Sequence, residues 1–218
     1  MANASTTGFG LRMAERLGNT PAISGQSKYK IESGLDVGIY KGNPVSLNDG
    51  GEAAGETGYL QDASFATTDD GGTGGASYTN ASHALMVGVF NGAFYVDATT
   101  LKPTYANSVA ASTTFGTNPN TNSTDGFGFV NDDPNQGYII KADAAVTQAN
   151  MGTCFNVNNF TAGAAKNGSS TVTLDITSAA ETKMFRVVRS AEDPENEDLT
   201  AAGANVYVVW NAASNLYK

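Results

Sequence analysis

The sequence has little of the equipment that most enzymes use. Its 218 residues contain one cysteine, Cys154, and one histidine, His83. One cysteine cannot form a disulfide within the chain, and with one histidine it nearly excludes a transition-metal site of thiolates and imidazoles. A catalytic triad would have to use His83, which stands beside no nucleophile motif, so an ordinary loop or strand-edge residue is the simpler interpretation. We therefore expect a protein that is not an enzyme and uses no cofactor.

Charged residues are also scarce, at 15% of the chain, against about a quarter in typical proteins. The formal net charge is −9. We expect no nucleic-acid partner and no binding to an anionic membrane, since both need clustered lysine and arginine. No apolar run approaches the length of about 20 residues that spans a membrane, and no secretory signal is recognisable. An acidic surface of this kind could steer the protein toward a basic partner surface.

Motifs for calcium, phosphate or sugar binding are incomplete in this sequence. Calcium needs only oxygen ligands, and the candidates are Asp69-Asp70, Asp132-Asp133 and the acidic loop 192–198. None has the spacing of an EF-hand, so a solvated acidic turn is the default interpretation. The glycine-rich run 71–75 lacks the Lys-Ser/Thr ending of a phosphate-binding loop. The carboxylate pair of a glycosidase would flank a sugar-binding cleft, but the one tryptophan, Trp210, lies in a strand-like run and is expected in the core.

The composition is typical of many short strands joined by tight turns, and it includes 25 glycines. Val172, Leu174 and Ile176 alternate with polar residues, which predicts a strand with one buried face. The runs 185–188 and 206–210 are more continuously apolar, as in central strands. We predict an all-β protein with a barrel-like main domain, an extended N-terminal arm and a loop-rich insertion. Its predicted parts are the arm at 1–27, a first part of the β body at 28–70, a loop-rich hairpin insertion at 71–126 and the completion of the barrel at 127–218.

Four local features are also predicted. Asn91-Gly92 between two apolar runs predicts a hairpin, because both turn positions favour positive φ. The stretch 112–126, rich in Thr, Asn, Gly and Ser, predicts a long surface loop. The apolar spacing within 11–17 is compatible with a short helix. Cys154 stands in a strand-like setting and is expected to be a small buried residue, with a reactive thiol as the alternative.

Several blocks in a fixed order carry a resemblance to a known family. They lie at 8–12, 29–34, 39–45, 88–97, 102–103, 132–143, 185–188, 193–196 and 206–211, and together they extend over most of the chain. Their order and spacing resemble those of small structural proteins from tailed bacteriophages, many of them aquatic or marine, which are thought to act as capsid decoration or cement proteins.

The resemblance implies a structural virion protein that binds the outer surface of the major capsid protein shell and stabilises it. It implies a location on the capsid surface after assembly in the host cytoplasm. We also expect a homo-oligomer, with a trimer favoured over a dimer. Many weak contacts around a symmetric shell would add up to a large total.

The N-terminal arm is the expected contact with the capsid, since an extended segment can add a strand to the edge of a neighbour's sheet. We expect the partner-binding residues to be Phe9, Leu11, Arg12 and Leu17. The apolar members would fill pockets and Arg12 would pair with a capsid carboxylate. The alternative is an arm that packs only on its own domain, as termini often do.

Two rival functions stay open. The protein could be a virion fibre knob or another glycan-binding attachment protein, for which the aromatic residues Tyr105, Phe115 and Phe127 are the candidates. A lytic or depolymerising enzyme is the third hypothesis, and it would require a catalytic carboxylate.

Overall fold

The computed structural model of the protein describes residues 3–18, 25–48, 58–63, 86–159, 167–177 and 179–217. The predictions on Asp69-Asp70, on the run 71–75 and on His83 lie outside the described residues. No helix in the described ranges is long and apolar enough to cross a membrane. A 3₁₀ turn lies at Gln148–Asn150, and the strands are, in chain order, β1 (Arg12–Arg16), β2 (Ser27–Ile31), β3 (Ile39–Tyr40), β4 (Pro44–Leu47), β5 (Leu60–Asp62), β6 (Met86–Val96), β7 (Pro103–Ala106), β8 (Ser108–Val109), β9 (Gly126–Asn131), β10 (Gln136–Lys141), β11 (Cys154–Asn158), β12 (Thr173–Asp175), β13 (Phe185–Ser190) and β14 (Asn205–Trp210).

The first sheet has the strand order β1-β10-β14-β13-β11-β12, with antiparallel neighbours. Its core buries large aromatic side chains. The rings of Phe185 and Trp210 pack with their centroids 4.3 Å apart, and Tyr138 meets both of them edge-on. Trp210 is 1% exposed and Cys154 on β11 is fully buried, so both core predictions are confirmed.

The second sheet has the order β2-β9-β6-β4-β5, and β7 pairs with the later half of β6. β3 and β8 form a separate two-stranded ladder. This sheet has its own buried apolar cluster, which is distinct from that of the first sheet. Its larger members are Ile31, Ile39, Leu60, Phe90, Phe115 and Val130.

β6 is one continuous strand where the sequence predicts a hairpin. It runs through Asn91-Gly92 and pairs with β9 along both of its halves. The hairpin prediction is therefore wrong. The two-residue hairpin turns of types I′ and II′ both need positive φ at the first central residue, and Asn91 does not have it. The dipeptide instead lies at an irregularity of the ladder with β9, between Phe90 and Gly92. From residue 86 onward, the predicted insertion thus supplies a central strand of the second sheet.

The all-β class is confirmed, and the sheets of the described residues stay open rather than closing into a barrel. The first sheet curls until β12 meets the end of β10, where Ala142 and Leu174 form a single parallel bridge. The pairing goes no further, because β1 already occupies that edge of β10, with Arg12 opposite Ile139. The N-terminal chain thus lies where a closed barrel would need β12.

Two further local predictions have different outcomes. The helix considered for 11–17 is wrong, because Arg12–Arg16 is the edge strand β1. The stretch 112–125 is irregular, as predicted for a loop, but Phe115 from it is 3% exposed and stacks on Tyr95 with ring centroids 4.6 Å apart. Phe115 lies among polar residues in the sequence, so its place in the core of the second sheet was not predicted.

Candidate functional site

Residues 3–18, called here the N-terminal segment, are fixed to the rest of the protein by main-chain hydrogen bonds. The amides of Ala4, Gly10, Leu11 and Leu17 donate to the carbonyls of Glu195, Val172, Gly42 and Asn135, at 3.1, 3.2, 2.9 and 3.0 Å respectively. The pairing of β1 with β10 adds a ladder to these contacts. In the isolated chain, this segment therefore packs on its own domain, which is the alternative that the sequence left open.

Side chains strengthen the attachment at the start of the N-terminal segment. The Asn3 amide group donates to the carbonyls of Asp198 and Ala202, each at 3.0 Å, and accepts the Asp198 amide at 3.0 Å. The Lys141 ammonium, on a residue only 2% exposed, donates to the carbonyls of Ser5 at 2.9 Å and Gly203 at 3.0 Å. Burial lowers the pKa of Lys141. A buried lysine that binds carbonyl groups is a structural clamp here, and the sequence alone did not predict it.

Gly10 allows the N-terminal segment to pass close to its neighbours. Its φ is +75°, and a Cβ atom on it would lie 2.7 Å from the Cβ of Ser170 and 2.9 Å from the carbonyl oxygen of Gly42. Both the backbone conformation and the lack of space favour glycine. Because of this close approach, the blocks 8–12 and 39–45, separate in the sequence, lie side by side.

The four predicted partner-binding residues have different environments. Leu11 is 4% exposed and belongs to the core of the first sheet. Phe9 is half-buried, and the exposed Arg12 guanidinium stacks over its ring, 4.0 Å from the centroid. Leu17 lies just after β1 and is 41% exposed. The structure thus brings Phe9, Leu11 and Arg12 together and leaves Leu17 apart from them.

Phe9, Leu11 and Arg12 line a cleft of about 270 Å³ between the two sheets. We call it the cationic cleft. The opposite wall comes from the connection between β3 and β4 and from β6, and β9 contributes one residue. The remaining lining residues are Met13, Lys41, Gly42, Val89, Phe90, Asn91, Asn131 and Ser169.

The cationic cleft has a local charge opposite to that of the whole protein. Arg12 and Lys41 are both exposed, and neither forms an ion pair within the described part of the chain. The described lining contains no carboxylate, histidine or cysteine. The cleft therefore lacks a side chain suited to general acid–base catalysis near neutral pH, but its charge is suited to binding an anionic group.

In the two described acidic turns that were candidates for calcium, carboxylates already bind groups of the protein. Asp133 pairs with Arg16 at 2.7 Å, and Asp132 accepts the Tyr29 hydroxyl at 2.8 Å. The carboxylate of Asp193 accepts the Glu195 amide at 3.1 Å, which is the main reason why its pKa is lowered. Over the described ranges, no three His, Cys, Asp or Glu side chains are grouped to hold a metal ion.

A second exposed feature is a line of aromatic rings on the second sheet, called here the aromatic row. Tyr105 on β7 is 76% exposed, and its ring centroid lies 4.8 Å from that of Phe94 and 6.5 Å from that of Phe129. Of the other aromatic candidates for glycan binding, Phe127 is half-buried on β9 and Phe115 belongs to the core. Phe94 and Phe129 were not predicted from the sequence as members of this surface.

Cys154 does not belong to either surface. It is fully buried on β11, and burial raises the pKa of its thiol. A protonated thiol without access to solvent is a poor nucleophile.

Comparison of the chain with protein-family models, with curated proteins and with solved structures finds no match. The functional assignment therefore depends on the residues themselves. Lys41, Asn91, Asn131 and Ser169 were not predicted from the sequence as lining residues. A signal was present for two of them, since Lys41 lies in the block 39–45 and Asn91 in the block 88–97.

Proposed function

We propose that the protein is a structural virion component, a capsid decoration protein that binds the outer surface of the major capsid protein shell and stabilises it. One observation carries this proposal. Blocks 8–12, 39–45 and 88–97, which carry the resemblance to phage decoration proteins, all contribute residues to the cationic cleft. Residues scattered along the sequence thus form one surface, as expected for a binding site.

The attachment of the N-terminal segment changes how this binding would work. A free arm would have to become ordered on the capsid, at a cost in conformational entropy. Here residues 3–18 are already held by their own domain, so the binding surface is formed before the partner arrives. Preorganisation of this kind favours affinity.

The direct test is to mix the purified full-length protein with empty capsids of the phage that encodes it and to image the particles by electron cryo-microscopy. We expect additional density at regular positions on the outer surface. Capsids of an unrelated phage are the control. Particles without density above that control would overturn the proposal. The same maps would show whether the copies form the trimers that we propose.

A second candidate function is glycan binding by an attachment protein, and the aromatic row favours it. Rings exposed on a sheet, such as Tyr105 at 76%, offer apolar faces with polar edges. Glycan-array binding that Tyr105→Ala abolishes would support this function. Absence of binding by the wild-type protein across the array would leave decoration as the better proposal.

A further inference from the structure

The two cations of the cationic cleft are available for a partner. Arg12 begins β1, and Lys41 is the first residue of the connection between β3 and β4. Arg12 stacks on Phe9, an interaction that fixes the guanidinium but leaves its N–H donors unpaired with any carboxylate of the described residues. The main chain of Lys41 is fixed by hydrogen bonds with Asn107, Gly168 and Ser170. Both side chains are thus positioned by firmly held backbone.

The rest of the cationic cleft combines apolar and polar side chains. Phe9 and Met13 are half-buried and supply its accessible apolar surface. Leu11, Val89 and Phe90 also line it but are themselves buried. An apolar surface beside unpaired cations suits an occupant that has an apolar group next to an anionic one. Such a surface would discriminate against a simple inorganic anion, which gains nothing from the apolar side chains.

The size of the cleft limits which groups it can hold. Its volume of about 270 Å³ is smaller than the pockets of about 300–1,000 Å³ that enclose drug-sized ligands. A space of this size fits one or two side chains of a segment that crosses the surface. One of them should be acidic, because the cleft is positively charged and an acidic side chain complements it. This local charge contrasts with the net charge of −9 on the whole protein.

We infer that the cationic cleft binds a short acidic segment of the major capsid subunit, in which an aspartate or glutamate stands beside a large apolar residue. The carboxylate accepts hydrogen bonds from Arg12 and Lys41. The apolar neighbour packs against Phe9 and Met13, the half-buried apolar residues of the lining. The identity of the partner rests on the proposed function, whereas the chemistry of the bound segment rests on the cleft alone.

The test uses a blocked tetrapeptide, acetyl-Gly-Glu-Leu-Gly-amide, added to the full-length protein and followed by proton–nitrogen NMR. We expect saturable shifts confined to amides around the cleft, such as those of Leu11, Gly42 and Asn91. The isosteric peptide with glutamine in place of glutamate is the ligand control. We expect it to bind at least about tenfold more weakly, because it cannot form the charge-assisted hydrogen bond.

The protein variant is Arg12→Gln/Lys41→Gln, and Lys102→Gln, at an exposed lysine outside the cleft, is its matched control. We expect the double variant to keep the wild-type spectrum and lose the peptide response, while Lys102→Gln keeps both. Equal shifts with the two peptides, shifts spread over the surface, or an unchanged response in the double variant would overturn the inference. Self-association that the double variant abolishes would also overturn it, because a second copy would then be the occupant.

These results separate the inference from the proposed function. Capsids coated equally by the wild-type protein and the double variant would overturn the inference and leave decoration standing. Peptide binding at the cleft without any coating of capsids would overturn decoration and the capsid subunit as the source of the segment.

Discussion

The core of the first sheet and the cationic cleft share the N-terminal segment but use it in opposite ways. Leu11 is 4% exposed and packs in the core, whereas its neighbour Arg12 is exposed at the cleft. The core depends on burial of large side chains such as Trp210. The cleft depends on charges that face solvent. We therefore expect stability and the proposed binding to depend on different residues. Variants of the two regions test that expectation, beginning with the largest effect on stability.

Trp210→Ala should cause the largest loss of stability. The side chain is 1% exposed and packs on Phe185 and Tyr138, and truncation of such a residue costs about 3–5 kcal/mol. Urea unfolding measures the change. Tyr105→Ala, at an aromatic residue that is 76% exposed, is the matched control. It should lose at most about 1.5 kcal/mol, the upper range for a surface aromatic pair such as Tyr105 with Phe94. Similar losses in both variants would refute the division into core and surface.

Gly10→Ala should destabilise the protein by about 1–3 kcal/mol. Its φ of +75° strains any other residue, and the added Cβ would lie 2.7 Å from that of Ser170. Gly18→Ala is the matched control, because Gly18 has a similar φ of +86° but nothing within 4 Å of an added Cβ. The difference between their melting temperatures measures the destabilisation that the added Cβ causes by its close approach to Ser170. Equal melting temperatures would contradict the claim that the N-terminal segment packs this closely against its neighbours.

Alkaline pH should destabilise the core. Burial raises the pKa of Tyr138 well above its ordinary value of about 10. Because the folded pKa exceeds the unfolded one, this contribution is complete below about pH 10 and is lost as the pH rises further. Lys141 acts in the opposite direction, since burial lowers its pKa. The comparison with Tyr138→Phe isolates the tyrosine.

Urea unfolding at about pH 8 and about pH 11 measures this effect. We expect the free energy of unfolding to fall less steeply with pH in Tyr138→Phe than in wild type. Equal slopes would show that Tyr138 ionises freely in the folded protein, contrary to its burial.

Arg12→Gln/Lys41→Gln should change stability least. Both side chains are exposed, and the substitutions remove the stacking of Arg12 on Phe9, an interaction that contributes about 0.5–1 kcal/mol at a surface. Calorimetry should find a melting temperature within a few degrees of wild type. A collapse of stability would mean that the cleft is part of the core, and the contrast with Trp210→Ala would disappear.

The sequence was informative where the signal is local. Alternating and continuous apolar runs predicted an all-β protein and the burial of Trp210, because such patterns depend on residues close together in the chain. Of the four residues predicted to bind a partner, Phe9, Leu11 and Arg12 are neighbours in sequence and line one cleft, whereas Leu17 lies apart. The sequence thus indicated which side chains of the N-terminal segment could bind a partner, but not where the segment lies in the fold.

Long-range pairing was not visible in the same way. β1 pairs with β10, so Arg12 lies opposite Ile139, and no local pattern encodes that choice. At Asn91-Gly92, the ladder with β9 continued, and tertiary pairing overrode a strong turn signal. The burial of Lys141 depends on carbonyl groups of Ser5 and Gly203, which only the folded chain brings together.

The most direct test of the proposed function is co-sedimentation of the protein with empty capsids assembled from the major capsid protein proposed as its partner. The wild-type protein should coat the capsids saturably. Arg12→Gln/Lys41→Gln should remain folded, with a melting temperature close to wild type, and should fail to coat them, while Lys102→Gln coats them normally. Undiminished coating by the double variant would contradict the account of the cationic cleft as the binding surface.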